Sequence, residues 1–267
     1  MKIILSADDF GRSHEMNMAI DYAMRNQMVC SAALIMGSEF TDEAVGLALE
    51  GGYIGDVHCH LNLSACRSVG NHFVPLNDAF KKSRFCKDGE FSNARYYRAD
   101  FLKYADIIYQ ELETQFLTFK ELTKNQANYN HLDFHLYMNL SLPVAVAYDR
   151  LIRNYQIQSA RFFGEHQSED KGSWKRRLLY SAMIAHWRHS KAYVAKSSRV
   201  EYYLARKERF EKDQIVELFV HPDYRNGVLI DQTNSVFGNK KKPLEEHIAL
   251  VRQSGDIEFI PWTALNK

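Results

Sequence analysis

The chain predicts an α/β fold on a mainly parallel sheet, and three observations carry the prediction. Short apolar strand patterns alternate with stretches of helical periodicity, about seven such units recur, and several strand patterns end in acid and histidine motifs. Ile3, Ile4 and Leu5 form a buried-strand run that ends in Asp8-Asp9. Residues 14–25 repeat apolar side chains at Met18, Ile20, Ala23 and Met24, mostly at helical spacing, with Ser13 placed to cap them. Residues 32–36 are a second strand, and Thr41 and Asp42 open a helix that stops at Gly51-Gly52. A strand follows at 54–63, a long helix at 99–122, a strand at 131–134, a helix at 144–153 and strands at 159–163 and 215–220. A last helix at 244–253 precedes an apolar segment at 257–261. About seven units suit a closed or nearly closed barrel better than a small open sheet.

Two segments break this rhythm. Residues 64–97, rich in polar and aromatic side chains, read as a loop over the active face. Residues 165–207 begin with Lys171, Lys175, Arg176 and Arg177 and continue into an apolar, helix-like stretch at 178–187; they read as a lid, a subunit contact or an exposed helical insertion. No internal repeat or Pro/Gly/Ser linker divides the chain, so a single domain over residues 1–267 is expected.

Composition narrows the function classes. At 267 residues and 46% hydrophobic the chain can bury a large core, and a net charge of +1 provides no broad footprint for nucleic acid or an anionic membrane. The N-terminal apolar run is only three residues, too short for a secretory signal, and no stretch approaches about 20 apolar residues. A soluble, cytoplasmic protein is expected. Cys30, Cys59, Cys66 and Cys86 fall at no zinc-finger or CxxC spacing and read as free thiols.

The chemistry lies in motifs at strand ends: Asp8-Asp9 in ILSADDFG, His58 and His60 in VHCHLNL, and His131, Asp133 and His135 in HLDFH. Imidazoles and a carboxylate are the donors a zinc-type ion prefers, and residues past several strand ends of a parallel barrel converge at one face. Side chains alternate along a strand, so Asp8 and Asp9 are expected to point different ways, one toward a metal and the other toward its water as general base. Either is equally readable as a cap or turn residue before Gly11. His58 and His60 share a strand face, as do His131, Asp133 and His135, where Asp133 can instead orient an imidazole. His221, in LFVHPDY, ends an apolar strand before a proline, a rigid place for an acid or base. His14, His72, His166, His186, His189 and His247 read as solvated.

Taken in order, ADDFG, HLNL at His60, HLDxH at His131 to His135, the Arg161 strand and VHP at His221 resemble the YdjC-like family of carbohydrate deacetylases, which includes chitooligosaccharide deacetylases. The resemblance spans nearly the whole chain and takes in ELETQ at 111–115. It implies a distorted TIM-like (β/α) barrel and a metal site of one aspartate and two histidines, which fall on Asp9, His60 and His135. It further implies Asp8 as the base, one divalent ion (Zn2+ or Mg2+), a small carbohydrate substrate and a homodimer. Arg161 is assigned to the substrate, and His221 to protonation of the leaving amine. The sequence departs from the family where Phe134-His135-Leu136-Tyr137-Met138-Asn139 stands for Ser-His and further histidines, where Asp223 replaces the glycine of VHPG, and in the extra His58.

The expected activity is removal of an N-acetyl group from an amino sugar or short N-acetylated oligosaccharide. Two rivals are another metal-dependent amidohydrolase or phosphoesterase, with His58 as a ligand, and a family member that binds sugar without turnover.

Overall fold

The computed structural model describes residues 1–65, 72–92, 99–136, 141–161, 193–210, 214–232 and 243–265. The first elements are β1 (Lys2–Phe10), α1 (His14–Arg25), β2 (Ser31–Ile35), α2 (Thr41–Gly51) and β3 (Val57–Leu61). A one-turn helix α3 (Asp78–Lys81) and a small hairpin, β4 (Cys86–Lys87) and β5 (Glu90–Phe91), lead to α4 (Ala105–Leu122), β6 (His131–Phe134), α5 (Leu142–Asn154) and β7 (Ser159–Arg161). Next come β8 (Tyr193–Arg199), α6 (Val200–Ala205) and β9 (Ile215–Val220). The hairpin β10 (Pro222–Arg225) and β11 (Val228–Asp231), then α7 (Leu244–Gln253) and β12 (Glu258–Phe259), complete the chain.

Strands β1, β2, β3, β6, β7, β8 and β9 pair side by side, all parallel, and β9 pairs back onto β1 from Lys2↔Ile215 to Ala7↔Val220. Among the described residues this is a barrel of seven parallel strands, as the element count predicted. The pairing of β1 with β2 starts only at Ser6, and β12 pairs with Lys2 and Ile3 below it. That short strand fills the seam between the two.

Alternation along the strands sorts residues into two environments. Ile3, Leu5, Ala7, Cys59, Leu61, Val216 and Leu218 join the main apolar core between barrel and helices, together with Ile20, Ala44, Leu112, Phe116 and Leu151. Each buried Val, Leu, Ile or Phe side chain among these contributes roughly 1.5–3 kcal/mol relative to exposure. The residues between them face the barrel interior, and most are polar: Ser6, Asp8, Ser31, His58, His60, His131, Asp133, Ser159, Arg161, Ser197 and Glu217 are all buried. The floor is apolar, where Ile4 packs with Ile260 and Trp262. Barrel interiors are usually filled by bulky branched residues. A polar filling must satisfy its own hydrogen bonds, and it makes the interior a functional feature.

The helices follow their local signals. Ser13 caps α1 by accepting from the Met16 amide, with Glu15 in the first turn and Arg25 in the last. Helix α2 ends at Gly52 in the left-handed conformation (φ 73°). Gly37, also left-handed, lies where a Cβ would sit 2.4 Å from the Val74 carbonyl oxygen, and its own carbonyl accepts from the Val74 amide. The 72–92 segment is thereby pinned against the β2 loop.

Several expectations change. Strand β1 runs through the acidic pair; residues 54–56 are a 3-10 turn before β3, and residues 99–104 are a 3-10 turn before α4. The described part of the 64–97 interruption packs Phe73, Phe80, Phe85 and Phe91 into the core. The 165–207 interruption is shorter than its assigned bounds, because residues 193–205 contain barrel strand β8 and helix α6. Its polar sequence, KSSR, concealed β8: the inward face of this strand meets the polar interior. The basic run and the stretch at 178–187 lie outside the described residues, as do residues 162–163 of the strand expected at 159–163. Cys30, Cys59 and Cys86 are free thiols, and Cys66 lies outside the described residues. Among the described residues no helix is long and apolar enough to cross a membrane.

Candidate metal centre and active site

The site begins with a broken strand. Asp9 has a left-handed backbone (φ 69°), Gly11 follows at φ 90°, and the pairing of β1 with β2 shifts register between Ala7 and Phe10. The Gly11 amide donates to Asn17 Oδ1 and the Arg12 amide to the Asp9 carbonyl, which holds the turn closed. Strict alternation therefore fails at this point. Asp8 and Asp9 both line one cavity at the C-terminal mouth of the barrel, instead of pointing apart as expected.

Asp9, His60 and His135 converge with ligand atoms within 4.8 Å of one another, and all three are buried. Asp9 Oδ1 lies 2.7 Å from His135 Nδ1 and 3.3 Å from His60 Nε2. Three donor atoms that crowd one point in this way fit a shared cation. Asp9 Oδ2 accepts from Arg12 Nη1 at 2.6 Å, so only one oxygen faces the cluster. Burial raises the Asp9 pKa, but neighbouring His135, His60 and Arg12 outweigh it and hold the carboxyl well below the usual range.

Behind the ligands lies a supporting layer. Asp133 Oδ1 accepts from His60 Nδ1 at 2.6 Å, which leaves Nε2 to face the cluster. Asp133 Oδ2 lies 3.1 Å from both His58 Nε2 and Arg161 Nη2. Burial opposes protonation of His60, yet Asp133 and Asp9 raise its pKa to about 10. The four buried carboxylates Asp8, Asp9, Asp133 and Glu217 are matched by two guanidinium groups, Arg12 and Arg161. The donor set of one carboxylate and two imidazoles fits Zn2+ or Mg2+, with imidazole favouring zinc.

Arg161 occupies a different place from the one assigned to it. It is fully buried and does not line the cavity. Its guanidinium bonds Asp8 through both nitrogens (2.5 and 2.9 Å) and Glu217 through Nε and Nη2 (2.8 and 2.6 Å), while Ser197 Oγ donates to Glu217 at 2.6 Å. The guanidinium thus stands behind Asp8 in the interior, bonded to Asp8 and Glu217, rather than in the cavity wall.

The remaining histidines separate. His58 donates or accepts at Ser31 Oγ (3.0 Å), meets the His131 ring edge-on and stays below the ligand cluster. His131 stacks on Trp262 with ring centroids 3.6 Å apart, and its buried imidazole is held well below its usual pKa by desolvation. His131, Asp133 and His135 thus share one face but occupy three successive levels, of which only the last reaches the cluster. His221 lines the cavity; its backbone amide donates to Asp231 Oδ1 at 2.9 Å, and burial lowers its pKa. His14 and His72 are exposed beside Glu43 and Glu90, but His247 is buried with Nδ1 3.5 Å from Asp231, contrary to the solvated reading. His166, His186 and His189 lie outside the described residues.

Sequence reasoning passed over Arg12, Glu217, Arg199 and Gln232. Glu217 had a signal, a lone acid in the apolar run IVELFV. From ELETQ, Glu111 accepts the Leu76 and Asn77 amides and Gln115 clamps the Asn62 backbone, steadying the loop after His60. The cavity measures about 140 Å³ and is walled by Phe134, Leu136 and Phe219 alongside the polar groups. An acetamide-sized group fits such a space.

A family model described as YdjC-like protein matches residues 2–253. A protein from Listeria innocua named carbohydrate deacetylase 2 is 27% identical over 147 residues, which is 55% of this chain and 54% of that protein. The chain thus spans about half the length of this relative. Proteins named carbohydrate deacetylase from Brevibacillus brevis and Halalkalibacterium halodurans are 26% and 23% identical, covering 84% and 97% of this chain and 82% and 100% of theirs. A crystal structure from Enterococcus faecalis V583, of a protein named for cellobiose-phosphate cleavage, superposes with a TM-score of 0.68 at 16% identity, covering 100% of this chain and 99% of that one. At that identity the likeness concerns the fold.

Proposed function

The chain belongs to the YdjC-like family, and on that premise we propose that it is a metal-dependent deacetylase hydrolysing the N-acetyl group of an amino sugar or short N-acetylated oligosaccharide. The observation that carries the proposal is the convergence of Asp9 Oδ1, His60 and His135 on one point, with Asp8 beside them in the same cavity. The names of the relatives support the substrate class.

Asp9, His60 and His135 would hold the ion. When bound, a divalent ion would supply Lewis acidity toward water and the amide carbonyl. Asp8 takes the proton as water attacks the carbonyl carbon, and Arg161, fixed by Glu217, keeps Asp8 aimed. The proton taken by Asp8 must reach the leaving amine, and His221, which lines the same cavity, is placed to pass it on. Phe134 and Phe219 exclude water from the acetyl group. His58 has no part in this scheme.

Acetate release from N-acetylglucosamine and its short oligomers tests the proposal, with chelator and with zinc or magnesium restored. Release abolished by chelator and rescued by metal is expected. No release from any oligomer by metal-loaded protein would overturn it in favour of a binding role.

A further inference from the structure

The turn that brings Asp8 and Asp9 into one cavity is held from outside the barrel. Asp9 is not a glycine, yet its backbone is left-handed (φ 69°), a conformation that persists only where the surroundings over-determine it. Inside the turn the Arg12 amide donates to the Asp9 carbonyl at 3.1 Å. A shorter bond comes from helix α1, where Asn17 Oδ1 accepts the Gly11 amide at 2.7 Å. Gly11 is already pressed against β2, since an added Cβ would stand 3.1 Å from the Ile35 carbonyl oxygen.

Asn17 is fully buried within α1, although asparagine is a poor helix former and a buried carboxamide must be paired. It is paired at both ends. Its Nδ2 donates to the Phe40 carbonyl oxygen at 3.0 Å and to Glu43 Oε2 at 2.6 Å, so the end opposite the Gly11 amide grips the start of α2. Reversing the carboxamide would set N–H against N–H at Gly11 and oxygen against oxygen at Phe40 and Glu43, which fixes its orientation. Glu43 Oε1 in turn faces His14 Nδ1 at 2.7 Å on the exposed side. The cavity wall includes neither Asn17 nor Glu43.

We propose that Asn17 and Glu43 are positioning residues for the metal centre: gripped by Glu43 and Phe40, the Asn17 carboxamide fixes the Gly11 amide, and with it the turn that aims Asp9 at His60 and His135. The proposal rests on the metal-centre part of the deacetylase reading and adds to it a source of metal affinity that lies outside the cavity.

The test reads zinc affinity, by competition with a chromogenic chelator, separately from folding, by circular dichroism and urea. Asn17→Leu, close in shape and without hydrogen bonds, should lower zinc affinity about 10–100-fold, the usual effect of losing a group that orients a metal ligand. Asn17→Asp keeps the acceptor for the Gly11 amide but sets a carboxylate against Glu43, and at about pH 8 that pair repels. It should lose affinity too, and Asn17→Asp/Glu43→Gln should regain most of the loss, because the glutamine amide can donate to the new carboxylate. Asp21→Asn is the control, since Asp21 lies on the same helix but accepts from Arg25 and Tyr53 instead of the turn. It should lose stability and keep native zinc affinity. Native affinity in folded Asn17→Leu or in Asn17→Asp, no recovery in the double variant, or an equal loss in Asp21→Asn would overturn the proposal; if Asn17→Leu does not fold, the aspartate variants decide alone. Zinc bound equally well by Asp9→Ala would defeat the metal centre itself, whereas zinc lost from Asp9→Ala but kept by the Asn17 variants defeats only the role of Asn17 and Glu43.

Discussion

Replacing Arg161 with methionine keeps most of its volume and removes its fork. Its guanidinium makes four hydrogen bonds to Asp8 and Glu217, at 2.5, 2.9, 2.8 and 2.6 Å, and lies 3.1 Å from Asp133. All three carboxylates are buried, so Arg161→Met strands them without their principal cation. Breaking one buried ion pair by removing a partner costs about 3–5 kcal/mol, and with three acids affected the upper end, about 5 kcal/mol, is expected. That is a large share of the roughly 5–15 kcal/mol that stabilises a typical domain. Removing one stranded charge should recover part of the loss, so Arg161→Met/Glu217→Gln should exceed the single variant by about 1–3 kcal/mol. Urea unfolding followed by circular dichroism measures both. The pH dependence has a definite sign. In the native protein burial raises Asp133, but Arg161, His60 and His58 hold it well below its ordinary value. Its contribution is therefore present above about pH 3.9 and is lost as pH falls through the lower folded value. In the variant Asp133 loses the largest of the charges that hold it down, so this acid-side loss of stability should shrink. A single variant within about 1 kcal/mol of native, or a double variant no more stable than the single, would refute this account of Arg161.

Further outcomes follow from the same geometry. Asp9→Ala should lose both metal and activity, whereas Asp8→Asn should keep its metal by elemental analysis and lose about 10²–10⁴-fold in kcat; full turnover in Asp8→Asn would remove it as the base. Asp133→Asn weakens the orientation of His60 and should lower metal affinity by about 10–100-fold, read by competition with a chromogenic chelator. The His60 pKa of about 10 lies above its ordinary 6.5, so its pairing stabilises the metal-free protein fully below about 6.5 and fades as pH rises through about 10. Metal uptake near pH 7.5 should then release about one proton, measured by calorimetry in buffers of different ionisation heat, and release of none would show that His60 is already neutral.

The alternation of strand and helix was legible because each element announces itself locally, through apolar spacing, the Ser13 cap and the glycine stops. Asp9, His60 and His135 were legible for a similar reason: each ends a strand pattern of the barrel, and strand ends of a parallel barrel meet at one face. Strand β8 was missed because its inward side is polar, so apolar periodicity had nothing to register. The common face of Asp8 and Asp9 came from a left-handed residue that no strand pattern anticipates. The supporting role of Arg161 was beyond local reading altogether, since its partners Glu217 and Asp8 lie 56 and 153 residues away. The sequence by itself thus determined which strands and helices form and which residues stand at their ends. Barrel closure alone decided which buried charges meet, because pairing across the interior depends on strand order and register rather than on neighbours in the chain.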